Sequence, residues 1–301
     1  MITIILIFLT KISLASFSLD TGLIYLELIA PPRPSGMGMS YGSIADDSET
    51  IFYNPAGLVF LFSSELCLTY GNYYNSEFYS SSIIYSFSFQ PYGTIAFSGQ
   101  YFGTSPIDKY DNQGNKLNEN AIFYNLLFIT SYGISVMDDI SLGANLKIFN
   151  ENISRESDLI LGLDFGLLSA DFIIKNLFTG FSFLNLSPQT PKLGNKIESI
   201  TSKIILSSYY LKNNILFSLD FNFFNSGRIS LNYGFELCID KILPDLKLFL
   251  RYGLIYLYPD SLSPINFGIG TLYREKFKLD ISIQSRYDLG VTYKSLFGLC
   301  F

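Results

Sequence analysis

The sequence predicts an all-β protein, a transmembrane antiparallel β-barrel of about 14 strands whose residues alternate between apolar and polar. From about residue 64 onward the alternation has a period of two, which is strand geometry. The predicted strands are about 11–17 residues long, enough to cross a membrane at a tilt. Charged residues make up only 15% of the chain and aromatic residues 17%, whereas soluble domains carry roughly 25% charged residues. The shortage of charge indicates a surface that largely avoids water.

The alternation and the turn residues give each strand its bounds. In 217–223, for example, Phe and Leu at odd positions alternate with Ser, Asp and Asn at even positions. Short joins predict tight hairpins, and longer polar joins predict loops, as in 108–116 and 188–195. The predicted strands are 64–74, 78–90, 93–104, 121–136, 139–151, 158–168, 170–186, 200–212, 214–224, 227–240, 245–256, 262–273, 275–286 and 289–301.

Two architectures share this pattern. A β-sandwich would bury the apolar face between two sheets, whereas a membrane barrel turns it to lipid and its polar face to the lumen. The strand lengths and the low charge favour the barrel. So does the chain end, because Phe297, Leu299 and Phe301 resemble the C-terminal signal that barrel assembly machinery recognises. The barrel would place these charged residues in the lumen or at its rim: Lys147, Asp164, Asp220, Glu236, Asp240, Lys247, Arg251, Lys278 and Asp280.

Composition excludes several functions. The formal net charge of −6 argues against nucleic acid, which needs a basic footprint. The chain has no histidine, which excludes Ser-His-Asp and Cys-His catalysis and the usual zinc sites. Cys67, Cys238 and Cys300 show no CxxC spacing and no disulfide framework. We therefore expect no catalytic residue, metal or cofactor, and a protein that is not an enzyme.

The N-terminus predicts export. Residues 2–10 are mostly apolar, and Ser13, Leu14 and Ala15 follow, which fits a secretory signal peptide over residues 1–15. The stretch is too short to span a bilayer as a helix. It departs from the usual pattern because no Lys or Arg precedes the apolar run, and a buried first strand is the alternative.

The stretch from Gly36 to Leu58 is rich in turn-forming residues and cannot form a long regular element. Gly36 and Gly38 favour close backbone approach, an acidic pair follows at Asp46 and Asp47, and the stretch ends in Asn54-Pro55-Ala56-Gly57-Leu58. Pro55 removes a backbone donor and restrains the residue before it to extended geometry. The pattern predicts a compact plug, so that residues 16–63 fill the lumen of a barrel formed by residues 64–301.

This stretch resembles the N-terminal hatch of FadL-like outer-membrane proteins, and more closely the PorV/PorQ branch with its uncharacterised relatives. The matching residues are Gly36-Met37-Gly38, Ala45-Asp46-Asp47 and the run Phe52–Leu58. Residues 164–168 are similar to a mid-barrel strand of the family, and 288–294 to its closing Asp-Leu-Gly-x-Thr-His-Arg run, with Tyr293 in place of the usual His. Two departures concern the subgroup: Tyr53 stands where many members have Trp, and Met39-Ser40 where they have two small residues.

The resemblance implies an outer-membrane barrel in contact with lipid, with a hatch that gates passive uptake of hydrophobic or small molecules such as fatty acids. The alternative is a PorV-like outer-membrane component of type IX secretion, whose partners would be secretion-system proteins. For Asp46, Asp47 and Asn54 we expect an anchoring role, in which the two carboxylates accept hydrogen bonds from the plug backbone or pair with a lumen cation such as Arg251 or Lys247.

Overall fold

The computed structural model describes residues 21, 22, 26, 28–154, 156–171, 174–187, 189, 192, 193, 196, 197, 199–258, 265–286 and 290–301. The predicted signal peptide lies outside these residues, as do Asp288 and Leu289 of the closing motif. Within the described residues, fourteen antiparallel strands form one closed barrel, which confirms the predicted fold class. Among the same residues, no helix is long and apolar enough to cross a membrane.

The barrel strands pair in chain order, and the last strand pairs with the first. They are β1 (Glu65–Tyr73), β2 (Phe78–Ser88), β3 (Thr94–Thr104), β4 (Phe123–Met137), β5 (Ile140–Ile153), β6 (Glu156–Ala170), β7 (Leu177–Leu186), β8 (Lys203–Lys212), β9 (Ile215–Phe224), β10 (Ile229–Leu243), β11 (Leu246–Tyr258), β12 (Ile265–Tyr273), β13 (Phe277–Arg286) and β14 (Gly290–Cys300).

The largest difference from the predicted bounds is at β7, which begins at Leu177 rather than at residue 170. A turn intervenes, in which Asp171 and Asn176 take left-handed backbone conformations at φ 58° and 67°. The Asp171 carboxylate accepts a hydrogen bond from the Asn176 backbone N–H. Asp and Asn tolerate this conformation, so the turn ends the strand that the apolar pattern had extended.

The connections differ in length at the two ends of the barrel. At the end where β1 begins they are short, as at Asn213 and Asn214, where both residues have positive φ, the requirement of a tight two-residue hairpin. At the opposite end, residues 105–122 include a small hairpin of Ile107–Tyr110 and Lys116–Ala121. Because outer-membrane barrels carry short periplasmic turns and longer extracellular loops, we call these ends periplasmic and extracellular.

The two faces of the wall differ as a membrane barrel requires. On β9, Phe217 and Phe221 are 56% and 42% exposed, whereas Ser218, Asp220 and Asn222 are buried. Because successive side chains of a strand point to opposite faces, the exposed apolar set faces outward and the polar set inward. A β-sandwich would bury the apolar set between its sheets, so the exposed apolar face excludes the sandwich and agrees with the membrane barrel.

Residues 28–63, here called the lumen segment, lie against the polar inner face. They form a short helix α1 (Pro32–Gly36) and two 3₁₀ helices (Ser48–Phe52 and Pro55–Phe60). The helix α1 contacts β11–β14, and Pro55–Phe60 contacts β3–β6. Most of the segment is buried, so it occupies the lumen between opposite sides of the wall.

Candidate functional site in the barrel lumen

Asp47 and Asn54, two residues of the stretch from Gly36 to Leu58, cap the two 3₁₀ helices of the lumen segment. The Asp47 carboxylate accepts a hydrogen bond from the Glu49 N–H at 3.1 Å, and the Asn54 side-chain oxygen accepts one from the Ala56 N–H at 3.1 Å. Both satisfy backbone donors that a helix start leaves open. The Asn54 amide also donates to the carbonyl of Gly42 at 2.8 Å and to that of Leu167 on β6 at 3.1 Å. Asn54 therefore joins the segment to the wall.

A buried arginine organises the carboxylates of the segment. The Arg33 guanidinium donates to both carboxylate oxygens of Glu236 on β10, at 2.9 and 2.8 Å. Its Nη1 also donates to Asp46 at 2.6 Å and to Asp47 at 2.9 Å. Bidentate pairs of this kind are the stronger charge-assisted hydrogen bonds. Arg33 is not among the site residues predicted from the sequence, although it is the only Lys or Arg between residues 16 and 63.

The predicted ion partners of the acidic pair were wrong. Arg251 contacts Glu236 of the adjacent strand β10 and Asp280 of β13, two strands away. Lys247 lies near the periplasmic rim, where it pairs with Glu275 at 2.6 Å. The second cation on Asp47 is instead Lys278 of β13, whose Nζ lies 2.7 Å from Asp47 and 2.8 Å from Glu49. The ion cluster consists of Arg33, Asp46, Asp47, Glu49, Glu236, Arg251, Lys278 and Asp280.

The ion cluster shifts the pKa values of the segment's carboxyls in opposite directions. Burial favours protonation of Asp47, but the charges of Lys278 and Arg33 outweigh it and hold the Asp47 pKa well below its usual range. Burial raises the pKa of Glu49 to about 8, and the nearby carboxylates Asp47 and Asp280 act in the same direction against Lys278. Near neutral pH, Glu49 is therefore largely protonated while Asp47 is charged.

This difference predicts a pH dependence of segment seating. The Glu49 pKa is about 8 in the buried site, against an ordinary value of 4.5. Glu49 therefore binds its proton more tightly when the segment is seated than when the side chain is exposed to water. Protonated Glu49 therefore stabilises the seated segment, and this stabilisation is fully present below pH 4.5 and is lost as the pH rises through 8. We expect the leak conductance in planar bilayers to rise from pH 5 to pH 9, and to rise much less in Glu49→Gln. Glu119→Gln, on the extracellular loop, should keep the wild-type response; a full response in Glu49→Gln would contradict the assignment.

Wall glycines let the segment approach the strands backbone to backbone. A Cβ added to Gly143 of β5 would lie 2.2 Å from the carbonyl carbon of Pro55, and one on Gly253 of β11 would lie 2.0 Å from the Gly38 nitrogen. Gly36 packs on Gly268 of β12, where an added Cβ would lie 2.9 Å from the wall backbone. Cβ atoms do not approach other atoms so closely, so these positions require glycine. We call Gly143, Gly253, Gly268 and their contacts the glycine seat.

The remaining motif residues serve the packing of the segment itself. Ala56 is fully buried, and a Cβ on Gly57 would lie 2.3 Å from the Thr50 hydroxyl. Gly38 has φ of 62°, a conformation that suits glycine. The structure thus brings Asp46 and Asp47 into the ion cluster, and places Asn54, Pro55, Ala56 and Gly57 on the other side of the lumen.

Two further polar residues of the wall hold segment backbone. The Asp220 carboxylate of β9 accepts hydrogen bonds from the N–H groups of Tyr41 at 2.8 Å and Gly42 at 2.9 Å. The Lys294 ammonium of β14 donates to the carbonyl of Leu28 at 2.9 Å and to the Ser35 hydroxyl at 2.8 Å. These contacts satisfy backbone and side-chain groups that burial separates from water.

In its extracellular half the lumen is apolar on the side of β1–β6, a feature that the alternation does not predict. An apolar cluster of inward side chains packs there around Ile29 of the lumen segment: Tyr73, Phe102, Leu127, Ile129, Phe149 and Ile160. A signal was present, since Leu126 to Ile129 are four apolar residues in succession. Both faces of β4 are therefore apolar at that height. A cavity of about 50 Å³ adjoins the cluster, and Gln100, Lys147, Asn185 and Lys203 add polar groups to its lining.

The residues of the predicted assembly signal close the barrel seam. Phe297 is 51% exposed on the outward face of β14, and Leu299 pairs with Leu66 of β1. Phe301 follows β14 and exchanges backbone hydrogen bonds with Ser64 at 3.0 and 3.1 Å. Recognition of these residues by the assembly machinery stays a prediction.

Comparison with known proteins shows a shared fold. No protein-family model matches the chain, and no curated protein matches it. The Ralstonia pickettii toluene transporter TbuX matches with a TM-score of 0.65 at 10% identity, over 95% of this chain and 100% of that one. The Pseudomonas putida toluene transporter TodX matches with a TM-score of 0.65 at 11% identity, over 89% and 96%. A Pseudomonas aeruginosa FadL homologue matches with a TM-score of 0.56 at 10% identity, over 90% and 97%.

These likenesses concern the barrel as a whole, while the PorV/PorQ branch stays a prediction from the motif. The closed barrel, its outward apolar face and its polar inner face agree with the predicted location. The chain is an outer-membrane β-barrel with the fold of the FadL-like transporters.

Proposed function

We propose that this protein carries hydrophobic small molecules passively across the outer membrane, through a lumen that the lumen segment closes. The observation that carries the proposal is the apolar cluster at the extracellular half of the lumen. Barrel interiors are ordinarily polar, so an apolar lining favours an apolar solute. The description of two structural neighbours as toluene transporters supports the same class of solute.

The lining also suits a molecule with one polar end. Beside the apolar cluster, the cavity of about 50 Å³ offers the side chains of Gln100, Lys147 and Lys203. A fatty acid would place its chain against Leu127 and Phe149 and its carboxylate towards the lysines. The cavity is far smaller than the roughly 300 Å³ of ordinary ligand sites, so binding requires the lumen segment to move.

The lumen segment is the proposed gate. Below the apolar cluster, Met37, Tyr41 and Ile51 are fully buried and fill the lumen. A solute that enters from the extracellular side therefore meets the segment before it reaches the periplasm. Release of the ion cluster or of the glycine seat would open the path, and the extent of that movement sets the flux.

Uptake into liposomes tests this proposal. Purified protein is expected to admit a labelled long-chain fatty acid and toluene faster than protein-free liposomes do. Deletion of residues 36–58 should raise the flux and extend it to small hydrophilic solutes, because the plug is gone. Phe149→Asn should lower the uptake of apolar solutes, since it places a polar group in the apolar cluster. Ile107→Asn, an exposed position in the extracellular hairpin, is the matched control and should leave uptake unchanged.

The same experiment separates transport from secretion. Absence of uptake with both the full chain and the deletion, together with co-purification of secretion-system proteins, would overturn the transport proposal in favour of a PorV-like role. Heat-modifiable mobility in gels confirms that each variant forms a barrel, so a failure to assemble is not mistaken for a closed lumen.

A further inference from the structure

The outer wall contains a hollow on the side that faces the membrane. Its volume is about 370 Å³, and the strands β7–β11 line it. This volume lies at the lower end of the roughly 300–1,000 Å³ found for small-molecule sites. The large aromatic side chains around it belong to the outward set, since Phe217, Tyr233 and Tyr252 are 56%, 45% and 38% exposed. The hollow is therefore continuous with the lipid-facing surface and separate from the lumen.

A small side chain among large ones explains the hollow. Ser208 faces outward on β8, directly across from Leu219 of β9, and Leu219 in turn pairs with Tyr233 of β10. In the adjacent row, Phe217 and Phe235 contact each other edge to face at 5.2 Å between ring centroids. The aromatic rings line the sides of the hollow, and the hollow is open between them because the Ser208 side chain is much smaller than its neighbours.

A lysine lies at the membrane boundary beside the hollow. Lys212 follows Tyr210 on the same outward face of β8, and two strand residues span about 7 Å. Lys212 is exposed and stands at the periplasmic end of β8, directly before the turn at Asn213. An ammonium at this level meets the head groups of the periplasmic leaflet, where lysine side chains place their charge.

We propose that this hollow binds one acyl chain of a phospholipid of the periplasmic leaflet, whose phosphate contacts Lys212. The acyl chain fills the space at Ser208 and packs against the aromatic side chains that line the hollow. The phosphate gains a charge-assisted hydrogen bond from the lysine. The site is independent of the proposed transport function, because it lies on the opposite face of the wall from the lumen segment.

Fluorescence quenching tests the site, because the chain has no tryptophan. A single tryptophan is introduced as Tyr233→Trp in the hollow, or as Phe97→Trp in a second protein. Phe97 lies on β3, seven strands away in the ring, and is 49% exposed to lipid. Both proteins are placed in phosphatidylcholine vesicles that contain increasing fractions of phosphatidylglycerol with brominated chains. We expect Tyr233→Trp to be quenched several-fold more strongly than Phe97→Trp at low fractions of the brominated lipid.

Two further variants decide the assignment. Adding Ser208→Phe should fill the hollow and bring quenching at Tyr233→Trp down to the level of Phe97→Trp. Adding Lys212→Gln should reduce the quenching of Tyr233→Trp by the brominated anionic lipid. Because Lys212 lies at the surface, this variant still tests the site if Ser208→Phe fails to assemble. Equal quenching curves at the two tryptophans would overturn the proposal. So would preferential quenching by a brominated free fatty acid with none by the phospholipid, which would assign the hollow to a transported molecule.

Discussion

Replacing Arg33 with methionine is expected to unseat the lumen segment. The substitution leaves the buried carboxylates of Glu236 and Asp47 without their shared cation, while the apolar stem of the side chain is kept. Removing one partner from a buried ion pair costs about 3–5 kcal/mol. The substitution destabilises only the seated state, because the carboxylates of the segment are hydrated once the segment leaves the wall. The variant should therefore populate an open lumen far more than the wild type does.

A native cysteine reports this opening. Cys67 of β1 is 1% exposed, and its sulfur lies 3.7 Å from the Ser48 hydroxyl of the lumen segment. With Cys238 and Cys300 replaced by serine, a membrane-impermeant maleimide at fixed pH reaches Cys67 only when the segment is displaced. We expect labelling of Arg33→Met to be at least about 100-fold faster than that of wild type, because the lower end of this cost, about 3 kcal/mol, corresponds to two factors of ten at 1.4 kcal/mol each.

Lys116→Gln is the matched control for loss of one cation. Lys116 pairs with Asp108 at 2.7 Å on the extracellular hairpin, with both side chains exposed. Exposed pairs contribute little to stability, so this variant should label Cys67 at the wild-type rate. Unchanged labelling in Arg33→Met would show that the other contacts hold the segment without the ion cluster.

Replacing Gly143 with valine is expected to displace the opposite side of the segment. The Cβ of the new side chain would lie 2.2 Å from the carbonyl carbon of Pro55, so the 3₁₀ helix Pro55–Phe60 has to move away from β5. Overpacking of this kind costs about 1–3 kcal/mol. Because the outward face of the strand is unchanged, the barrel itself should still assemble. Labelling of Cys67 should rise about tenfold, which corresponds to 1.4 kcal/mol.

Gly99→Val is the control for the same substitution in the wall. Gly99 faces outward on β3, and an added Cβ would meet its nearest neighbour, the Phe128 ring, at 3.6 Å. This is ordinary contact, so Gly99→Val should assemble and label like wild type. Equal labelling of the two valine variants would mean that the glycine seat does not hold the segment.

The two variants act on opposite sides of the lumen. The ion cluster holds the part of the segment near α1 to β10–β13, while the glycine seat at Gly143 holds Pro55–Phe60 to β5. If the segment moves as one body, both variants open the lumen to the same solutes. If its halves move separately, Arg33→Met and Gly143→Val differ in the size of solute they admit.

The sequence predicted the barrel well because its signal is local. One face of each strand meets lipid and the other a polar lumen, so the alternation is written into every short stretch, as in 217–223. The error at β7 arose because apolar residues continue to Asp171 and beyond, while the backbone preferences of Asp171 and Asn176 form a turn there. The apolar cluster was missed because inward apolar residues such as Leu127 depart from the alternation on which the interpretation relied.

For the candidate site, the sequence identified Asp46, Asp47 and Asn54 as polar residues in a plug, and by resemblance it implied a hatch. It could not identify their partners, because Arg33 and Glu236 are 203 positions apart and Asp47 and Lys278 are 231 apart. Such pairs depend on how the ring of strands closes around the segment. The charges and the alternation are therefore properties of the sequence alone. Which cation meets which carboxylate, and which wall glycine meets which turn, is decided only when the barrel closes and brings distant strands to the same height in one lumen.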